Sequence, residues 1–153
     1  PKSIETRPRR TALFERGTGC HPVRMSHRIV DTAEAPKAIG PYSQAVVHGG
    51  LVFCSGQIPL DPATGEIVGG GDVRLEVEQV MKNLRAVLEA AGSDLEHVLK
   101  ATIFVTDLAH FATVNEVYGA HVSRERPPAR ATVQVAALPR GAQVEIEVVA
   151  AVK

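Results

Sequence analysis

Residues 127–148 read PPARATVQVAALPRGAQVEIEV, and the fold of the chain turns on how this stretch is taken. Two runs in it alternate apolar with polar residues at a period of two, the pattern of a strand with one face in a core. In the first run Ala131, Val133 and Val135 oppose Arg130, Thr132 and Gln134; in the second, Val144, Ile146 and Val148 oppose Gln143, Glu145 and Glu147. Residues 136–142 between them carry Pro139 and Gly141 at turn spacing, which predicts an antiparallel hairpin. Such a hairpin sets Arg130 and Glu145 on one sheet face. Pro127 and Pro128 restrict the backbone just ahead, so Arg130 enters its strand along a defined path. A guanidinium held there can grip a carboxylate through two parallel hydrogen bonds, which lysine cannot copy. It can equally pair with Glu145 or Glu147 across the hairpin, and the residues alone leave both open.

Outward from this stretch the chain alternates strands and helices. Residues 45–48 and 51–57 are apolar runs joined by Gly49-Gly50, a strong two-residue hairpin signal. Gly56, at the end of the second run, permits close approach of a backbone or ligand. Residues 61–66 form a turn by composition, and Gly69-Gly70-Gly71 leads into a helix capped by Asp72. That helix buries Val73, Val77, Val80, Met81, Leu84, Val87, Leu88 and Ala91, three or four apart, and stops at Gly92. Residues 93–96 have capping spacing for a short turn, and residues 99–105 form a β-branched strand. A second helix, capped near Asp107, turns Phe111, Val114, Val117, Tyr118 and Val122 inward and ends before Pro127.

The order β-β-α-β-α-β-β makes both helices connections between strands, so they cover one sheet face. The expected fold is α+β: a two-layer sandwich of a mixed β-sheet with two helices on one side. The uncovered face is expected to carry Arg130, Thr132, Gln134, Gln143, Glu145 and Glu147, and to meet solvent or another subunit.

A chain of 153 residues, 44% hydrophobic and 22% charged, suits a single domain with a real core. Its zero net charge hides an asymmetry. Residues 1–24 hold six basic and two acidic side chains and lack apolar periodicity, so they are expected to be a flexible basic extension before one domain at 25–153. Subtracting them from the 17 basic and 17 acidic residues leaves 11 against 15, a net of −4. That body is a poor nucleic-acid surface. Cys20 and Cys54 make no disulfide framework, and the six histidines show no metal-ligand spacing. No membrane-length apolar run or secretory segment appears, which makes the cytoplasm the expected location.

The stretch 128–146, PARATVQVAALPRGAQVEI, resembles the C-terminal signature of the RidA/YjgF reactive-intermediate deaminase family. IGPYSQA at 39–45, SGQIP at 55–59 and FATVN at 111–115 match further family patterns, in collinear order over about residues 27–153. The resemblance implies a chorismate-mutase-like α+β fold and a homotrimer with active clefts between subunits. It implies hydrolysis of 2-imino acids such as 2-aminoacrylate and 2-iminopropanoate to 2-keto acids and ammonium, without cofactor or metal. By the same resemblance Arg130 falls on the substrate carboxylate and Glu145 beside the reacting imine, where it orients or activates water. Tyr42, Ser55, Gly56 and Asn115 match pocket-lining positions. Thr132 stands at the pocket wall where many family members carry cysteine, which changes the polarity met by the substrate side chain.

Two other function classes compete. Relatives described as ribonucleases or translation inhibitors raise an RNA-binding role, against which the net −4 body and 4% aromatic content weigh. A non-catalytic trimer binding small carboxylates would use the same Arg130 cleft without turnover.

Overall fold

The alternating and helical periodicities resolve into six strands and two helices in a computed structural model that describes residues 26–153. The strands are β1 (Arg28–Val30), β2 (Ala45–His48), β3 (Leu51–Gln57), β4 (Val98–Val105), β5 (Ala129–Gln134) and β6 (Val144–Ala151). The helices are α1 (Val73–Ala91) and α2 (Phe111–His121). The expected extension at 1–24 lies outside the described residues. β1, three residues long, is too short to show a period and escaped the sequence reading; it pairs antiparallel with β2.

Gly49 and Gly50, both at positive φ (59° and 78°), close the β2–β3 hairpin as their sequence predicts. The Asp72 carboxylate accepts from the Arg74 amide at 2.9 Å to start α1, and Gly92 at φ 84° ends it in the left-handed region. All eight apolar positions read for α1 are buried. Asp94, rather than Ser93, caps the following short turn, its carboxylate accepting from the His97 amide. Asp107 caps a single 3-10 turn at Leu108–His110, from which α2 continues.

The sheet order is β1-β2-β3-β6-β4-β5, all neighbours antiparallel except β4 and β5, which are parallel. The expected hairpin between residues 127–135 and 143–148 does not form. β4 inserts between β5 and β6, pairing parallel with one and antiparallel with the other. Alternation reveals that a segment is a strand but not which strand lies beside it. The loop at 136–142 had the composition of a tight turn yet spans the width of β4.

Both helices pack on one face, where Val77, Met81, Leu84 and Leu88 of α1 and Val114, Val117 and Tyr118 of α2 share a core with Val52, Ala101, Ile103, Val105, Val144, Ile146 and Val148. Register then corrects the expected composition of the open face. Arg130 pairs with Ala101, Thr132 with Ile103 and Gln134 with Val105, so all three lie on the helix side of the sheet. β5 is an edge strand that α2 covers only partly, which lets polar residues occupy its inner side. Gln143 also leaves the open face: its side-chain amide donates to Gly71 O at 2.7 Å and to Glu76 Oε1 at 3.1 Å, beside the start of α1. Glu145 and Glu147, opposite Phe104 and Thr102, do face the open side. Phe53, Val133, Phe104 and Val149 lie there with them, and Phe53 and Val133 are 47% and 40% exposed.

Candidate functional site

The residues singled out by sequence fall into two groups on opposite sides of the sheet. The first group gathers where β3 departs from regular pairing. Cys54 pairs with Val148 and Gln57 with Ile146, so β3 spends three steps against two in β6. The extra residue is a β-bulge at Ser55-Gly56, a device that re-aims side chains next to binding sites. Its edges are tied down: the Ser55 hydroxyl donates to Ser43 O at 2.6 Å and the Ser55 amide to Gln44 O at 3.0 Å. The Glu145 carboxylate lies over Gly56 so closely that a Cβ at this position would overlap it, its carboxyl carbon being 2.8 Å away. Glycine here leaves the acid its present place, and any side chain would displace it.

Burial pushes the Glu145 carboxyl above the usual carboxylate range, and the neighbouring Glu147 adds to the effect. Gly56 also lines a cavity of about 380 Å³ with Tyr42, Ile39, Ile58 and Leu60. Tyr42 is 52% exposed, and its hydroxyl accepts from the Ile39 amide at 3.2 Å.

The second group sits along β5 and α2. Arg130 and Asn115 line a cavity of about 450 Å³ with Tyr118, Gly119, Ser123 and Arg124, and no acidic residue contributes to its wall. Thr132 follows Arg130 by two on the same side of β5. The expected strand ion pair is absent: among the described residues Arg130 pairs with neither Glu145 nor Glu147, nor with any other carboxylate. Its guanidinium instead lies 5.4 Å from the centre of the Tyr118 ring and 6.0 Å from that of Phe111.

Phe111 and Tyr118 are the neighbours that sequence reasoning missed. Both were read as core-facing, whereas Phe111 is 44% exposed. Their spacing to Asn115, at i, i+4 and i+7, was the available signal that the three share a helix stripe.

Arg130 and Glu145 therefore do not share a face. β6 and β5 are separated by β4, and the two residues sit three steps apart along it, opposite Ala101 and Phe104. Two strand spacings and three residue rises put their backbones roughly 14 Å apart, with side chains pointing to opposite sides. One small ligand cannot touch both within one chain. The chemistry is complementary all the same: a free cationic fork in one group, an acid of raised proton affinity beside exposed backbone in the other.

Comparison with known proteins gives this arrangement a lineage. A family described as Endoribonuclease L-PSP matches residues 32–152. Protein DfrA of Myxococcus xanthus is 59% identical over 129 residues, covering 83% of this chain and 97% of that protein. The human 2-iminobutanoate/2-iminopropanoate deaminase is 49% identical over 123 residues, covering 80% of this chain and 88% of the human one. The crystal structure of RidA from the Antarctic bacterium Psychrobacter sp. PAMC 21119 superposes with a TM-score of 0.77 at 46% identity, covering 82% of this chain and 99% of that one. Fold, coverage and identity agree: the chain belongs to the RidA/YjgF family.

Proposed function

We propose that this chain hydrolyses 2-imino acids to 2-keto acids and ammonium, in clefts formed between copies of itself in a homotrimer. The observation that carries the reading is the separation of Arg130 from Glu145 on opposite sides of one sheet. Two groups that suit a single small substrate but cannot reach it together in one chain can meet across an interface. The open face is suited to such an interface, since it presents Phe53, Phe104, Val133 and Val149 without a helix to cover them. The name of the human relative supports the substrate class.

In this reading Arg130 of one copy binds the substrate carboxylate, and Glu145 of a neighbouring copy stands beside the imine carbon. Tyr42, Ser55, Gly56, Asn115 and Thr132 line the cleft from the two sides. Water attacks the protonated imine and forms a C–O bond, while Glu145 accepts a proton from it. The carbinolamine nitrogen takes that proton and the C–N bond breaks; as the carbonyl forms, Glu145 takes the hydroxyl proton and passes it to the departing ammonia, which leaves as ammonium. A carboxyl with a raised pKa both accepts and returns a proton more readily near neutrality. Placement does the rest, because the protonated imine is already electrophilic. The setting proposed is the cytoplasm; no described helix is long and apolar enough to cross a membrane.

Ammonium release from 2-aminoacrylate, generated in place by a serine dehydratase, tests the proposal against the uncatalysed background. Rates no faster than background would refute it. The family description as an endoribonuclease favours a second reading, cleavage of RNA, with Arg124 beside Arg130 as the phosphate contacts. The excess of acids in residues 25–153 opposes it, and the same preparation incubated with RNA decides the matter.

A further inference from the structure

A ligand-binding arginine must be held in place without giving up its hydrogen bonds. An acidic partner would orient it, but would also occupy the fork and cancel the charge that a ligand carboxylate needs. Arg74 shows that ordinary solution in this chain: it meets Glu116 through two contacts, at 3.2 and 2.8 Å. Glu116 follows Asn115 directly on α2, yet its carboxylate turns to α1 and leaves Arg130 alone.

We infer that Phe111 and Tyr118 are positioning residues whose ring faces hold the Arg130 guanidinium in the place an acid would otherwise take, leaving its N–H groups free for a ligand carboxylate. An aromatic face attracts a cation through its quadrupole and accepts contact with the flat side of the guanidinium, while the donors point outward in its plane. Both rings come from one stripe of α2, seven residues apart, and Arg130 lies over each. Tyr118 is 3% exposed and its hydroxyl has no hydrogen-bond partner among the described residues. The contact with Arg130 is made by the ring face of this residue and does not depend on its hydroxyl. Phe111 is the more exposed of the two rings. The inference rests on the carboxylate-binding role proposed for Arg130 and adds what keeps that arginine ready.

The test uses the full chain and two readouts. Affinity for 2-oxobutanoate, a product of the proposed reaction, is measured by titration calorimetry in Phe111→Leu, Tyr118→Leu and Tyr118→Phe. Each Leu variant is expected to bind about tenfold more weakly, while Tyr118→Phe, which keeps the ring, retains parental affinity and melting temperature. The Arg130 Nε–Hε signal in nitrogen-15 spectra, assigned with Arg130→Lys, should lose its ring-current shift in both Leu variants. That signal needs no ligand and no turnover, so it reports on the rings even if the deaminase reading fails. Should Tyr118→Leu not fold, Phe111→Leu, at a half-exposed position, carries the test. An unchanged Arg130 signal in Phe111→Leu, or a Tyr118→Phe variant as weak as Tyr118→Leu, would overturn the inference.

Discussion

Glu145 stands over the Gly56 backbone near the middle of the sheet, whereas Arg130 stands on the last strand with two aromatic rings for neighbours. The first group is built from backbone. Its strand β6 is hydrogen-bonded on both sides, and the bulge opposite is tied down by Ser55. The second is built from side chains: β5 has one neighbouring strand, and its arginine has no ion pair among the described residues. The contrast teaches how each half can fail. A change of one carbon should damage the Glu145 side, while the Arg130 side should tolerate anything that preserves charge geometry and ring faces.

The largest effect is expected at Arg130. Arg130→Ala should abolish imine hydrolysis with circular dichroism and assembly mass preserved. Arg130→Lys keeps the charge but loses the two-point grip, and a misplacement of about 1 Å costs on the order of a hundredfold in rate. Parental turnover in Arg130→Ala would remove that side from the chemistry.

Mixing breaks or sharpens the two-copy arrangement itself. Arg130→Ala and Glu145→Gln should each be inactive alone. Co-refolded in equal amounts, they should regain about a quarter of parental activity, because one cleft in four pairs an intact arginine with an intact acid from the adjoining copy. No recovery would refute a cleft shared between two copies.

Gly56→Ala comes next. The added carbon overlaps the Glu145 carboxylate, so the acid must move, which the flexible end of its side chain allows with little loss of stability. Turnover should fall while 2-oxobutanoate affinity, which reads the Arg130 side, stays near parental. Equal losses in both would show that the two halves are mechanically coupled.

A smaller effect follows from the proton affinity of Glu145. Burial raises its folded pKa, so the folded chain holds that proton more tightly than the unfolded chain does. Stability is then lost as pH rises from the ordinary carboxylate value of about 4.3 through the folded pKa. Glu145→Gln removes that loss: its melting temperature should exceed the parent's at pH 7, and the advantage should vanish below about pH 4. Ser55→Ala, the mildest change, deletes the hydroxyl bond to Ser43 O and should cost about 1 kcal/mol in urea unfolding.

What could be read from the sequence follows from the range of the signals. The β2–β3 hairpin and α1 are local events, each announced by its own glycines, cap and period, and both appear where expected. The neighbour of β5 is a non-local fact. Ala131, Val133 and Val135 alternate as a core strand would, but the parallel register with β4 turns Ala131 and Val133 to the open face and Arg130 inward. The phase of an edge strand under a partly covering helix cannot be taken from polarity alone. Gly56 was marked as a place of close approach, yet the approaching group, Glu145, lies 89 residues later in the chain. Tyr118 was assigned correctly to the interior, but nothing local shows that its ring faces a charge.

The single partner of β5 has a consequence in time rather than in space. The Val135 amide donates to Val105 O at 2.9 Å, so by alternation Ala131 and Val133 also donate inward, and the amides of Arg130, Thr132 and Gln134 point away from the sheet. In an isolated chain those three amides need no opening event to exchange their hydrogens. Their two neighbours wait for the strand to peel, and β6, clasped on both sides, waits for the whole sheet to come apart. The strand that carries the arginine is thus, like β1 at the other edge, a fast clock, and the strand that carries the acid is among the slowest.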